Sequence, residues 1–153
     1  MKESKAWRPA IFVIAYSTNK KNIPEFILLK RQLHWKGWEF CKGKIEKGEK
    51  QIETVKRELK EETGIKIKTE DIVDHKIAGK YFYPKWFTLR PGRIGQTYHL
   101  YSVKVKKPKK ITLDPLEHNG HKWVTFEKAM KLITYPNQKE SLKIVKKYLD
   151  KLI

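Results

Sequence analysis

The chain is short of acid. Its 153 residues hold 35 Lys and Arg against 17 Asp and Glu, a formal net charge of +18. It is almost without cysteine. A single thiol, Cys41, rules out an internal disulfide and any cysteine-built metal cluster. Long apolar runs are missing too: the longest stretches, such as "AIFVIAY" and "FILL", are far too short to cross a bilayer. The N-terminus lacks the apolar run of a secretory signal, so no membrane association and a cytoplasmic location are expected. Apolar residues nonetheless make up 39%, with five Trp, seven Tyr and six Phe. That is enough to bury a core, which argues against disorder. The length suits one domain over residues 1–153.

A field this positive favours anionic partners: nucleic acid, nucleotide polyphosphates or anionic lipid. A lysine-rich solvated surface would give the same composition, so charge alone selects no function. Along the chain, "WRPAIFVIAYS" and "EFILLKRQ" read as two strands that pair across a polar turn. The following "LHWKGWEFCKGKIEKGEK" reads as loop with a short strand at Trp38 to Cys41. Residues 51–63 form the clearest helix, with Ile52, Val55 and Leu59 at helical spacing and Gly64 placed to stop it. Strands are expected at 72–83, 96–105 and 121–126, with a loop at 84–95. A short helix is expected at 127–133, a break at Pro136 and a terminal helix at 138–149. The order of elements describes a mixed α/β fold rather than strict βαβ alternation.

The puzzle is a dense group of glutamates in a chain otherwise built to be basic. On a helix, Glu58, Glu61 and Glu62 stand at i, i+3 and i+4 and share one arc, beside the apolar arc of Ile52, Val55 and Leu59. Like charges at this spacing repel by a few tenths of a kcal/mol per pair. A hard divalent cation reverses the sign, because Mg²⁺ and Mn²⁺ take oxygen ligands. Mg²⁺ also tends to share its site with substrate phosphates. Spacing by itself favours a solvated helix face over a metal site, since Arg57, Lys60 and Lys66 lie close by in sequence.

The wider pattern is more specific. It reads Gly43, five residues, Glu49, seven residues, Arg57-Glu58-Leu59, one residue, Glu61-Glu62, one residue, Gly64-Ile65. Seven fixed identities would coincide by chance on the order of 10⁻⁸ per starting position. This segment resembles the Nudix box in full. The resemblance implies an α/β/α sandwich with a mixed β-sheet and a loop-helix-loop box, in a hydrolase of nucleoside diphosphates linked to another group. It implies Mg²⁺ or Mn²⁺ held by Glu58, Glu61 and Glu62, with the Gly43 carbonyl near the metal. Glu49 and Arg57 would buttress the site through an ion pair, and Gly64 would end the helix. Glu61 or Glu62 would be the general base, with the metal activating water for attack on phosphorus.

The flanks resemble a subgroup. "EFILLKRQLHWKGWEFCKGKIEKGE" is similar to the entry to the box in asymmetric diadenosine tetraphosphate hydrolases, although Cys41 stands where that group usually has proline. "EHNGHKWVTFEKAMKLITYPNQKESLKIV" is similar to its end, which implies Glu117 as a further metal ligand or base. Base-stacking candidates are Tyr81, Tyr83 and Tyr135, although any one of them taken alone reads better as a half-buried packing residue. Lys42 matches the family's "KG" and is the leading phosphate contact, with Lys85, Arg31, Arg8 and His34 also candidates. Trp38 is expected to pack beneath the loop. The resulting expectation is hydrolysis of a dinucleoside polyphosphate. A 5′-RNA pyrophosphohydrolase, a remover of oxidised nucleoside triphosphates, and a basic RNA- or nucleotide-binding module without catalysis are the alternatives. No oligomeric state is read from the sequence, a monomer being the default.

Overall fold

The computed structural model describes residues 6–152. Seven strands and three α-helices follow in the order β1 (Trp7–Thr18), β2 (Pro24–Arg31), β3 (Gly37–Glu39), β4 (Cys41–Lys44), α1 (Gln51–Thr63), β5 (Ile72–Phe82), β6 (Gly95–Lys104), β7 (His118–Val124), α2 (Phe126–Leu132) and α3 (Pro136–Lys151). All seven strands belong to one mixed sheet, in which β3, β2, β1, β6 and β5 run side by side. Strand β1 pairs with β6 in parallel along ten residues. Its other edge is divided: Tyr16–Thr18 pair with β2, and Ala10–Val13 pair with β4. The remainder of β2 lies antiparallel to β7 and β3.

Alternation along β1 sends its side chains to two cores. Ile11, Val13 and Ala15 pack with Ile27, Leu29, Tyr101 and Val103 beneath α1, which contributes Val55 and Leu59. Phe12, Ile14 and Tyr16 pack with Phe26, Leu28 and Leu100 under α2 and α3, which contribute Ala129, Leu142 and Val145. The centre of the sheet, β1 and β2, is therefore buried on both faces, which is why these strands read as continuous apolar runs. This is the α/β sandwich that the box implied.

Helix α1 covers the residues its periodicity predicts. Gly64 ends it in the left-handed region (φ 80°) with its N–H donated to the Lys60 carbonyl at 2.8 Å. Three boundaries differ from expectation. The strands at 7–17 and 25–32 share only three residue pairs, because β4 takes the rest of that edge of β1. The last strand begins at His118 rather than 121, its first residues pairing with Lys30 and Arg31. Pro136 opens α3 instead of merely separating two helices; its fixed φ and missing N–H suit the first helical turn. Leu142 is fully buried between α3 and the sheet. Leu142→Ala is expected to lower the unfolding free energy by about 2–5 kcal/mol, measured as a fall in urea midpoint at unchanged slope.

Candidate active site

The register of β4 on β1 sets the box loop. Ile11 pairs with Gly43 and Val13 with Cys41, so the loop that follows starts directly over the N-terminal half of β1. Glu49 then ties the loop to α1. Its carboxylate accepts Arg57 Nε at 2.8 Å and Nη2 at 2.9 Å, the Thr54 hydroxyl at 2.6 Å and the Glu46 N–H at 3.1 Å. Arg57 directs its other donors to the Lys44 carbonyl (2.9 Å), Glu58 (2.7 Å) and Glu61 (3.2 Å). One guanidinium thus joins β4, the loop and three carboxylates, a use of its planar fork that an ammonium could not copy. The hydrogen bonds from Arg57, outweighing partial burial, hold Glu49 at about 2.

Glu58 and Glu62 sit differently. Glu62 is 2% exposed; one oxygen accepts the Lys42 backbone N–H at 3.2 Å and the other, Oε1, has no partner. Burial, reinforced by the Glu39 and Glu58 carboxylates, pushes Glu62 well above the usual carboxylate range. Burial also raises Glu58 to about 7, against the pull of Arg57. Glu58 packs against Gly43 so closely that a Cβ there would overlap its carboxylate. Glu117, from the turn before β7, completes the group: one ligand atom each from Glu62, Glu117 and His118 lies within 4.8 Å of the others. Glu61 is more open, 56% exposed by side chain and engaged by Arg57.

These donors fit a hard divalent cation. They are carboxylate oxygens with one imidazole, the buried Glu62 Oε1 is left without a hydrogen-bond partner, and burial pushes both Glu58 and Glu62 up from the usual carboxylate range. Glu39 shows what an ion-paired buried carboxylate looks like in the same neighbourhood. It is fully buried, yet Arg31 Nη1 (3.1 Å), His118 Nε2 (2.8 Å) and Lys42 Nζ (3.3 Å) surround it. Burial alone would raise it; Lys42, the His118 hydrogen bond and Arg31 outweigh that and hold it at about 2. Burial pulls the Lys42 ammonium down, but Glu39 more than compensates, so Lys42 stays charged.

Beside the carboxylates opens a cavity of about 290 Å³. Of the residues expected to meet substrate, Arg31, His34, Lys42, Tyr81, Tyr83 and Tyr135 line it. Lys85 does not line it; it is exposed on the loop after β5. Arg8 reaches the same region through Gln96, which accepts its Nη1 at 3.0 Å and the Tyr83 hydroxyl at 3.1 Å. Trp38 stays outside the cavity and packs against the core, with Lys122 over its ring. Sequence reasoning missed Trp35, Phe87 and Arg90. Trp35 meets Tyr135 edge-on at 4.8 Å, and Arg90 lies over both Tyr83 and Phe87 at 5.3 Å. It also missed Glu39 and His118, although His118 directly follows Glu117 in the "EH" pair.

The profile of the NUDIX domain matches residues 6–145. The chain belongs to the Nudix family. An RNA pyrophosphohydrolase of a Nitratiruptor species is 34% identical over 151 residues, covering 95% of this chain and 97% of that protein. An RNA pyrophosphohydrolase of a Sulfurovum species is 26% identical over 97% of each. Among solved structures, a C. elegans Ap4A hydrolase binary complex superposes with a TM-score of 0.70 at 25% identity, over 94% of this chain and 98% of the other. The E. coli dihydroneopterin triphosphate pyrophosphohydrolase shares the fold with a TM-score of 0.74 at 22% identity, over 91% and 96% of the two chains. The protein is thus a Nudix hydrolase acting as a pyrophosphohydrolase.

Two outcomes follow from this Nudix geometry. Gly43→Ala displaces Glu58 while leaving the sheet register in place, so it should cost activity out of proportion to stability; turnover and melting temperature measured together check this. Glu49 is held near 2 when folded against an ordinary 4.5, so the unfolded chain takes up its proton first. Its contribution is complete above about pH 4.5 and is lost as pH falls towards 2. Glu49→Gln should therefore flatten that part of the acid-denaturation profile, read by urea titration at each pH.

Proposed function

We propose that this protein hydrolyses the 5′-triphosphate end of RNA to a 5′-monophosphate. Lys42 carries the reading. Its side chain lines the aromatic cavity, and its backbone N–H is bonded to Glu62 in the carboxylate group. A nucleotide whose base enters the cavity between Trp35 and Tyr135 on one side and Tyr83 and Phe87 on the other has its phosphates directed along Lys42 and Arg31 to the carboxylates. The likeness to the RNA pyrophosphohydrolases named above supports an RNA end over the dinucleoside polyphosphate that the flanking sequences suggest. The resemblance to the Ap4A hydrolase keeps diadenosine tetraphosphate as the second reading, since both substrates offer a base and a run of phosphoanhydrides.

Glu58, Glu62 and Glu117 are the residues we assign to Mg²⁺ or Mn²⁺, with Gly43 setting the space beside them and Glu61 at the solvent edge. When bound, the ion would polarise the bridging phosphate and lower the pKa of water. The protein's own residues do the rest. Lys42 and Arg31 neutralise phosphate oxygens beyond the carboxylates, as a transition state with charge spread over the phosphoryl oxygens requires. Water adds to phosphorus, the phosphoanhydride P–O bond between the α and β phosphates breaks to give the 5′-monophosphate end and pyrophosphate, and the water's proton passes to a carboxylate. Between the two candidates for that proton, Glu62 offers a buried, unpartnered Oε1, whereas Glu61 is open to solvent and tied to Arg57. Arg57 and Glu49 hold the helix in register with the loop.

Turnover with Mg²⁺ should give a kcat/KM at least about tenfold higher on a 5′-triphosphorylated RNA than on diadenosine tetraphosphate; the reverse order selects the second reading. Glu62→Gln should lower kcat by about 10²–10⁴ on whichever substrate is used. Wild-type turnover in that variant would remove Glu62 from the chemistry.

A further inference from the structure

The loop between β5 and β6 is dressed in a way that a small nucleotide does not require. Eight large hydrophobic side chains are exposed among the described residues, and four of them fall here: Phe82 (69%), Trp86 (64%), Leu89 (63%) and Ile94 (48%). An exposed apolar patch of this kind marks a contact surface. Its charge has one sign. No Asp or Glu occurs between His75 and Leu113, while Lys80, Lys85, Arg90 and Arg93 lie within or beside the loop. Phe82 and Trp86 also line the cavity, so the exposed apolar side chains of this loop begin at the site itself.

The loop is built rather than slack. Tyr83 N–H donates to the Ile94 carbonyl at 2.9 Å, closing the loop across its base, and Phe87 N–H donates to the Pro84 carbonyl at 2.9 Å. Arg93 Nη1 donates to the Trp7 carbonyl at 2.6 Å. Trp7 in turn stands 5.1 Å from Phe82, with Lys80 over its ring at 5.0 Å. The aromatic faces are thus held outward on a frame, with cations interleaved between them. Aromatic platforms with basic residues between them bind single-stranded nucleic acid, because every base offers a face to stack and every linkage a negative charge.

We propose that residues 80–94 form a platform for the single-stranded RNA chain beyond its reacting 5′ nucleotide, with Trp86 stacking a following base and Lys85 meeting a phosphate. The inference rests on the RNA reading above and deepens it. A free nucleoside triphosphate carries a single base, and for it the patch would have no occupant. Affinity for an RNA therefore grows with chain length until the platform is covered.

Binding alone tests this, with no turnover needed. The probes are adenosine 5′-monophosphate and a 5′-monophosphorylated octaribonucleotide of mixed sequence, titrated against the full chain. The octamer should bind at least about tenfold more tightly than the mononucleotide. Trp86→Ala should weaken the octamer by a factor about 5–100 greater than it weakens the mononucleotide, in line with the loss of one stacked base, and Trp86→Phe should restore most of it. Lys85→Ala should reduce the slope of log affinity against log salt by about 0.7 for the octamer. Equal losses for both probes, or a wild-type affinity that does not change with length, would overturn the platform. So would binding of the loop to anionic vesicles without any dependence on RNA length. Failure of the RNA reading shows separately, as absence of turnover on triphosphorylated RNA while the length dependence of binding still decides the platform.

Discussion

Two carboxylates largely withdrawn from water, Glu58 beside Arg57 and Glu62 with no ion pair among the described residues, are the constraint on which this structure turns. Glu58 and Glu62 lie within one turn of α1, face the same buried space, and are pushed by that burial towards the protonated form. A protein does not gain stability from such an arrangement. It makes sense as a place built to receive positive charge, and the surrounding elements hold it open for that purpose. The ladder between β1 and β4 brings Gly43 against Glu58 where no side chain fits. The bidentate pair of Arg57 and Glu49 fixes the loop to the helix from the other side.

The contrast with Glu39 shows that burial alone does not decide the matter. Glu39 is as deeply buried as Glu62, yet it is held at about 2, because Arg31, Lys42 and His118 converge on it. Glu39 is met by two of the protein's cations, Arg31 and Lys42, at the cavity, whereas Glu62 has no ion pair among the described residues. Lys42 spans the two environments, its ammonium against Glu39 and its backbone N–H on Glu62. The aromatic cavity and the carboxylate group are joined through that residue.

What could be read from the sequence was local. Helix α1 and its stop follow from Ile52, Val55, Leu59 and Gly64, all within one segment, and the acids of the site are spaced by the same helix. The aromatic residues of β5 and α3 could be named because strand alternation and chain order place them near the box. What could not be read depends on partners far apart in the chain. The short pairing of β1 with β2 is a consequence of β4 competing for the same edge. Glu39 gains its meaning from His118, 79 residues away. Trp35 and Arg90 become walls of the cavity only once α3 and the β5–β6 loop are folded beside them. Lys85 carries the same charge as Lys42 and lies near Tyr83 in sequence, but an exposed loop turns it away from the cavity.

The most direct measurement is a titration of the protein with Mn²⁺, following the electron paramagnetic resonance signal of the free hydrated ion. Saturable loss of that signal is expected in the wild type, with binding at least about tenfold weaker in Glu58→Gln and Glu62→Gln and unchanged in Lys85→Ala, which keeps the carboxylates intact. A wild-type protein that leaves the free-ion signal untouched, or glutamine variants that bind Mn²⁺ as well as the wild type does, would contradict the claim that these buried acids exist to hold a cation.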